Sequence, residues 1–204
     1  MFDASVILTF FIASAAIVAV PGPTVSMIVA NSLRTGPAAG LANVAGTQAG
    51  LATMILVVAL GLDMVVAVMG EAFFVVKLAG AAYLVYLGIK LWRAGGVVAR
   101  SKGTARSSLG YALQGFIVIW SNPKALLFFG AFIPQFVDRA NGTALQVIVY
   151  GGIFMVVATL IDSLYALLAG KAGRLLTQGR VKLVERISGS LLVAGGVSLA
   201  FVRR

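Results

Sequence analysis

The sequence predicts an all-α integral membrane protein. Its six transmembrane helices form two inverted three-helix repeats, with helices 1 and 4 broken at Pro21-Gly22-Pro23 and Asn122-Pro123. Three observations carry that expectation. Of 204 residues, 60% are hydrophobic and only 11% charged, more apolar surface than one soluble core can hide, so lipid has to act as solvent. Six windows are long enough to cross about 30 Å of hydrocarbon at about 1.5 Å per residue. Prolines interrupt two of them at corresponding positions in the two halves.

The windows begin near Ala4, Ala38, Glu71, Leu109, Thr143 and Arg186 and end near Leu33, Leu60, Trp92, Phe136, Gly170 and Val202. Ahead of the first, Met1-Phe2-Asp3-Ala4 offers no basic n-region, and the apolar run behind it is too long for the h-region of a cleaved signal peptide, so it reads as a retained span. The second carries Asn43 and Gln48, which suit either interhelical hydrogen bonds or contact with a substrate. Its Gly40, Gly46 and Gly50, with Gly36 just before it, include two small-xxx-small pairs that permit close helix packing within the chain or in a homodimer. The third holds Lys77, about 9 Å along the helix from Glu71, where a lysine can also snorkel to the interface. The fourth holds the second break, the fifth Asp162, and the sixth opens on Arg186.

The net charge of +10 does not point to nucleic acid, because the basic residues gather in two short segments between apolar runs. With alternating helices, one side receives Arg34, the segment from Lys90 to Arg106 and the segment from Lys171 to Arg186. Asp3, Asp63, Glu71, Asp138 and Arg139 fall on the other side, joined, against the trend, by Arg203 and Arg204. The basic side is then cytoplasmic, and both termini face out. The chain has no Cys and no His, which removes thiol chemistry, the commonest metal ligand and the usual general base. No nucleophile and base stand at a recognisable spacing, so neither an enzyme nor a cofactor is expected.

The halves, about 1–92 and 109–204 around a basic loop, form a single transporter domain in this reading. "VPGPTVSM" in helix 1 answers "WSNPKALL" in helix 4, with Pro123 where Pro23 stands; "KLAGAAYLVYLG" from Lys77 answers "RISGSLLVAGG" from Arg186. Three helices per half turn the second repeat upside down, and interrupted helices at matching positions are the sequence pattern of a secondary transporter. Gly22 and Asn122 each precede a proline, which makes each break a new helix start, both facing mid-membrane. Amides at Thr24, Val25, Ser26, Ala125 and Leu126 then lack partners in lipid and suit an anion.

Lys124 opposes the macrodipole of the helix it begins, which makes sense beside a carboxylate. That carboxylate is either Asp162 or a substrate's. An acid subject both to desolvation and to a neighbouring ammonium can exchange a proton as a pocket fills, so Asp162, with Lys77, is the candidate for proton coupling. A salt bridge from Asp162 to Lys171, and prolines that merely kink their helices, are the structural alternatives.

"PGPTVSMIVANSLRTGPAAGLANVAGTQAG", "KLAGAAYLVYLGIKLW" and "GFIVIWSNPKALLFFGAFIPQFV" resemble the LysE/RhtB-type amino-acid exporter family over most of residues 15 to 136. In that resemblance Pro21, Gly22 and Pro23 correspond to the family's Pro-Gly-Pro signature. Lys77 and Gly80 match its Lys-x-x-Gly, and Asn122, Pro123 and Lys124 its Asn-Pro-Lys. The resemblance implies a bacterial inner-membrane exporter of amino acids or close derivatives, driven by protons, with lipid around it and both termini periplasmic. A substrate carboxylate would rest near Thr24, Ser26 and Lys124, and its amino group on carbonyls just before Pro21 and Asn122 or on Asp162. Efflux of an inorganic cation is the alternative, and the shortage of metal-ligating residues argues against it.

Overall fold

Pro21 and Pro23 decide the shape of the first span. The computed structural model describes residues 3–68, 71–93, 107–138, 142–173, 175 and 177–201, with side chains outside 62–77 and 131; among these, all regular structure is helical. Helix α1, Ala4–Ala19, is capped by Asp3, whose carboxylate accepts from the Ser5 amide at 2.7 Å. It ends at Val20, which the following proline holds extended (φ −72°, ψ 117°). Helix α2, Pro23–Thr35, restarts with Gly22 as N-cap and Pro23 in the first turn, where the missing N–H is no loss. The two meet at 52°, a break rather than a kink.

Gly36 stops α2 at φ 104°, a left-handed conformation a side chain would strain, and Pro37 at once begins helix α3, Pro37–Val68. Gly61 interrupts α3 at φ −150°, one residue past the expected end of the span. Helix α4, Glu71–Trp92, and helix α5, Ser108–Trp120, follow. Helix α6, Pro123–Leu127, is capped by Asn122, whose side-chain oxygen accepts from the Lys124 amide at 3.0 Å. It runs on as a π turn, Phe128–Phe132, and a 3-10 turn, Ile133–Phe136, because Pro134 cannot donate to the turn before it. The α5–α6 pair is also bent by 52°.

Helices α7, Thr143–Ala172, and α8, Gln178–Phe201, complete the chain. The start of α8 corrects the expectation of a helix beginning near Arg186. Arg180, Lys182 and Glu185 depress hydropathy there, yet Val181, Glu185, Ser188, Leu192, Gly196 and Leu199 form one buried stripe at helical spacing. Glu71 and Asp63 have side chains outside the described residues, and Arg100, Lys102, Arg106, Arg139, Arg203 and Arg204 lie outside them altogether.

Pro37–Gly61, α7 and α8 are each long and apolar enough to span a bilayer, as are the two bent pairs taken whole; α4 adds a shorter apolar segment, Leu78–Trp92. Leu8, Ile12, Leu60, Leu109, Leu113, Leu160 and Leu164 are exposed on the outside of the bundle, a surface suited to hydrocarbon. The protein is therefore a multi-pass α-helical membrane bundle.

Helix α3 packs on α5 and α7, α1 and α2 pack on α7, and α4 packs on α8. The α4–α8 contact is antiparallel, pairing Ala81 with Gly196 and Gly88 with Gly189. A Cβ on Gly88 would lie 2.6 Å from the Gly189 carbonyl, and one on Gly189 would lie 2.7 Å from that of Gly88, so backbone meets backbone. Gly40, Gly46 and Gly50 abut Ser32 and Ala166, Ala112 and Ile119 respectively, which uses their small size inside the chain.

Candidate functional site

A helix that ends inside a bundle strands carbonyls, and one that begins there strands amides. Both occur here within one hydrogen-bonded group. The Asn122 side-chain Nδ2 donates to Thr24 Oγ1 at 2.8 Å, tying the second break to the first. Lys124 Nζ donates to the carbonyls of Ile17 at 2.9 Å and Val20 at 2.8 Å, and Tyr165 Oη donates to that of Ala19 at 2.9 Å.

The ammonium of one break thus sits at the negative end of α1, where a cation stabilises the helix dipole. Sequence reasoning set Lys124 beside a carboxylate; it shares a cavity with Asp162, while its ammonium bonds the last carbonyls of α1. A Cβ on Gly22 would meet the Lys124 Cε and Nζ at 3.6 Å, ordinary van der Waals contact, so the two breaks lie side by side there.

Fewer amides are open than expected. Ser26 N–H bonds the Gly22 carbonyl at 2.9 Å and Leu126 N–H bonds that of Asn122 at 3.0 Å, each the first regular bond of its helix. Among the described residues, those of Thr24 and Val25 on α2, and of Ala125, have no partner.

Gly22, Thr24, Thr47, Asn122, Lys124 and Asp162 line a cavity of about 30 Å³, with Leu51, Ile119 and Phe154 on its apolar side. That is room for about one water. Asp162 is 4% exposed, and its Oδ1 has no hydrogen-bond partner; nor has Thr47 Oγ1. Ser26 Oγ in the first turn of α2 and both amide atoms of Gln48 are likewise buried without partners. Lys124 and Asp162 share the cavity without a direct ion pair, and Lys171 is exposed, away from Asp162.

Pro21 is exposed, Pro123 half-buried, and Pro23 is buried beneath Gly195 of α8. The Lys77 side chain lies outside the described residues; Gly80, one turn on, packs against Ser121 just before the second break. Asn43 is fully buried, donating to the Tyr111 carbonyl at 2.7 Å and accepting from Asn31 at 2.8 Å, so it joins α2, α3 and α5 and does not line the cavity. Asn43→Leu is expected to lower the unfolding free energy by about 1 to 3 kcal/mol, since two interhelical hydrogen bonds go, measured by reversible denaturation in mixed micelles.

Two neighbouring features were not foreseen. Toward the Arg34 end of the bundle a second cavity, of about 150 Å³, lies between α2, α4, α5 and α8. On the opposite side, Phe10, Phe128, Phe132, Phe136, Tyr150 and Phe154 form an aromatic cluster, with ring centroids 4.2 Å apart for Phe128 and Phe154 and 4.8 Å for Phe10 and Tyr150.

The profile of the LysE type translocators matches residues 15–202. The chain belongs to the LysE type translocator family. It is similar to the homoserine/homoserine lactone efflux protein of Salmonella typhimurium, 31% identical over 185 residues and 90% of each chain. The uncharacterized membrane protein YrhP of Bacillus subtilis is 29% identical over 202 residues, 94% of this chain and 96% of the relative. The leucine efflux protein of Salmonella choleraesuis is 30% identical over 135 residues, 64% of this chain and 62% of the relative. No solved structure matches. The protein is thus a membrane translocator of small molecules and not an enzyme, and its membership extends through α7 and α8, beyond the motifs that end at residue 136.

Proposed function

We propose that this LysE-type translocator exports amino acids or close derivatives across the bacterial inner membrane, in exchange for protons, by alternating access around the two helix breaks. The observation that carries this reading is the joined pair of breaks. The open amides of Thr24 and Val25, the Lys124 ammonium and the Asp162 carboxyl, whose Oδ1 has no partner among the described residues, converge on one small cavity. A zwitterion satisfies all of them, its carboxylate on the α2 N-terminus and Lys124, its ammonium on Asp162. Relatives named for efflux of homoserine, its lactone and leucine agree with a small amino-acid cargo.

In this reading the chain is one domain of six spans in two inverted halves. Exchanging the names of the halves exchanges the packing pairs: span 1 on span 5 becomes span 4 on span 2, while the pairings of 3 with 6 and 2 with 5 map onto themselves. Arg34, Lys90 and the start of α8 share one end, which the positive-inside rule makes cytoplasmic, with the termini periplasmic.

Inside-out vesicles provide the test. Labelled leucine, homoserine and a broader amino-acid panel are expected to accumulate under an imposed pH gradient and to stop when it is collapsed. No gradient-dependent uptake of any member would remove this reading.

A further inference from the structure

About two turns along α2 from Thr24, the second cavity is built as a site in its own right. Asn31 donates its amide to Asn43 Oδ1 at 2.8 Å and to Gln114 Oε1 at 3.1 Å. Both of its N–H groups are used, which leaves its carbonyl oxygen as an acceptor. Gln114 commits its oxygen to Asn31 and keeps its NH2 as a donor. Both residues line the cavity.

Two cations stand at its edge. Arg34 holds Glu185 through Nε at 3.4 Å with its side chain still 30% exposed, and Lys90 is exposed. No acid lines the cavity, and Met27, Leu87, Leu91 and Leu192 form an apolar wall opposite the polar one. Its volume of about 150 Å³ suits a ligand of about six non-hydrogen atoms or a few more, whereas the central cavity of about 30 Å³ holds about one water.

We propose that this vestibule is a second substrate site, in which an α-amino acid is held before it reaches the breaks. The substrate carboxylate lies against Lys90, Arg34 and the Gln114 NH2, its ammonium or a side-chain hydroxyl donates to Asn31 Oδ1, and its hydrocarbon packs on the apolar wall. The assignment rests on the reading of the chain as an amino-acid exporter and adds a place to it: a carboxylate-reading site about 10 Å from the central one. Compounds that lack the carboxylate, such as amino-acid amides, bind poorly here, because Glu185 already pairs with Arg34 and nothing then offsets Lys90.

The test is equilibrium binding of labelled leucine and homoserine to the full-length protein in nanodiscs, beside transport of the same labels in proteoliposomes. Gln114→Glu keeps the oxygen that Asn31 needs and replaces the donor with a negative charge; binding is expected to weaken by about 30-fold or more. Lys90→Gln, on an exposed position that does not threaten the fold, is expected to weaken it by about threefold. Leucinamide is expected not to compete, and competition by it as strong as that of leucine would overturn the assignment. If the parent transports the label but Gln114→Glu and Lys90→Gln bind it as tightly as the parent does, the vestibule assignment is overturned and the exporter reading stands. If the parent neither transports nor binds any label, both are overturned.

Discussion

Replacing Lys124 by glutamine is expected to cut amino-acid export to below about a hundredth of the parent rate in a protein that still folds. The ammonium bonds two carbonyls at the end of α1 and lies against Gly22 at the mouth of the α2 N-terminus. In the proposed cycle a substrate carboxylate draws it away from those carbonyls. A charged hydrogen bond of about 1.5–3 kcal/mol then appears with the substrate and disappears on release, and losing about 3 kcal/mol of it costs roughly 10²-fold in rate.

Folding survives because the substitution also removes an ammonium from deep in the membrane, where inserting one costs about 2.5–3.5 kcal/mol, and the shorter amide can still donate to one carbonyl. Lys124→Arg, which keeps the charge in a bulkier group, is expected to retain part of the rate. The readout is initial uptake into inside-out vesicles, normalised to monodisperse protein. Export by Lys124→Gln above a third of the parent rate would remove Lys124 from the substrate's path.

Much of this arrangement is written locally in the chain. Pro21 and Pro23, and Asn122 before Pro123, specify a stop and a new start whatever surrounds them, and both breaks fall where such residues require. Helices α4 and α7 begin at Glu71 and Thr143, where the windows open.

What escaped is what no local pattern encodes. The partners of Lys124 are main-chain carbonyls of Ile17 and Val20, and a carbonyl belongs to any residue, so composition cannot flag it. Tyr165, which satisfies Ala19, had a signal: it stands three positions after Asp162, on the same face of α7. Asn31 and Gln114 pair across 83 positions of sequence, and nothing in either neighbourhood announces the other. Helical spacing marks Glu185 as buried, but read for hydropathy alone the same stretch looks like loop.

Asp162→Asn is expected to abolish gradient-driven accumulation while leaving exchange of labelled for unlabelled substrate at a measurable rate. The carboxyl is buried on α7, one of its oxygens lacks any hydrogen-bond partner, and it shares its cavity with Lys124 without a direct ion pair. An unpaired charge in that setting is costly, so the group must either carry a proton or face a cation. If the cation is the substrate's ammonium, proton and substrate compete for one site, and a carrier that returns only when that site is filled exchanges one for the other. Asparagine keeps the shape and can accept from an ammonium, but it has no proton to give up, so substrate can still trade for substrate and cannot be driven uphill by pH. The comparison is the ratio of inside to outside label at steady state under a pH difference of about two units, which one proton per substrate can raise to about a hundredfold in the parent. A value near one is expected for Asp162→Asn, alongside preserved counterflow. Accumulation that survives in Asp162→Asn would move the proton to another group, and loss of counterflow as well would make Asp162 a binding residue with no separate part in coupling.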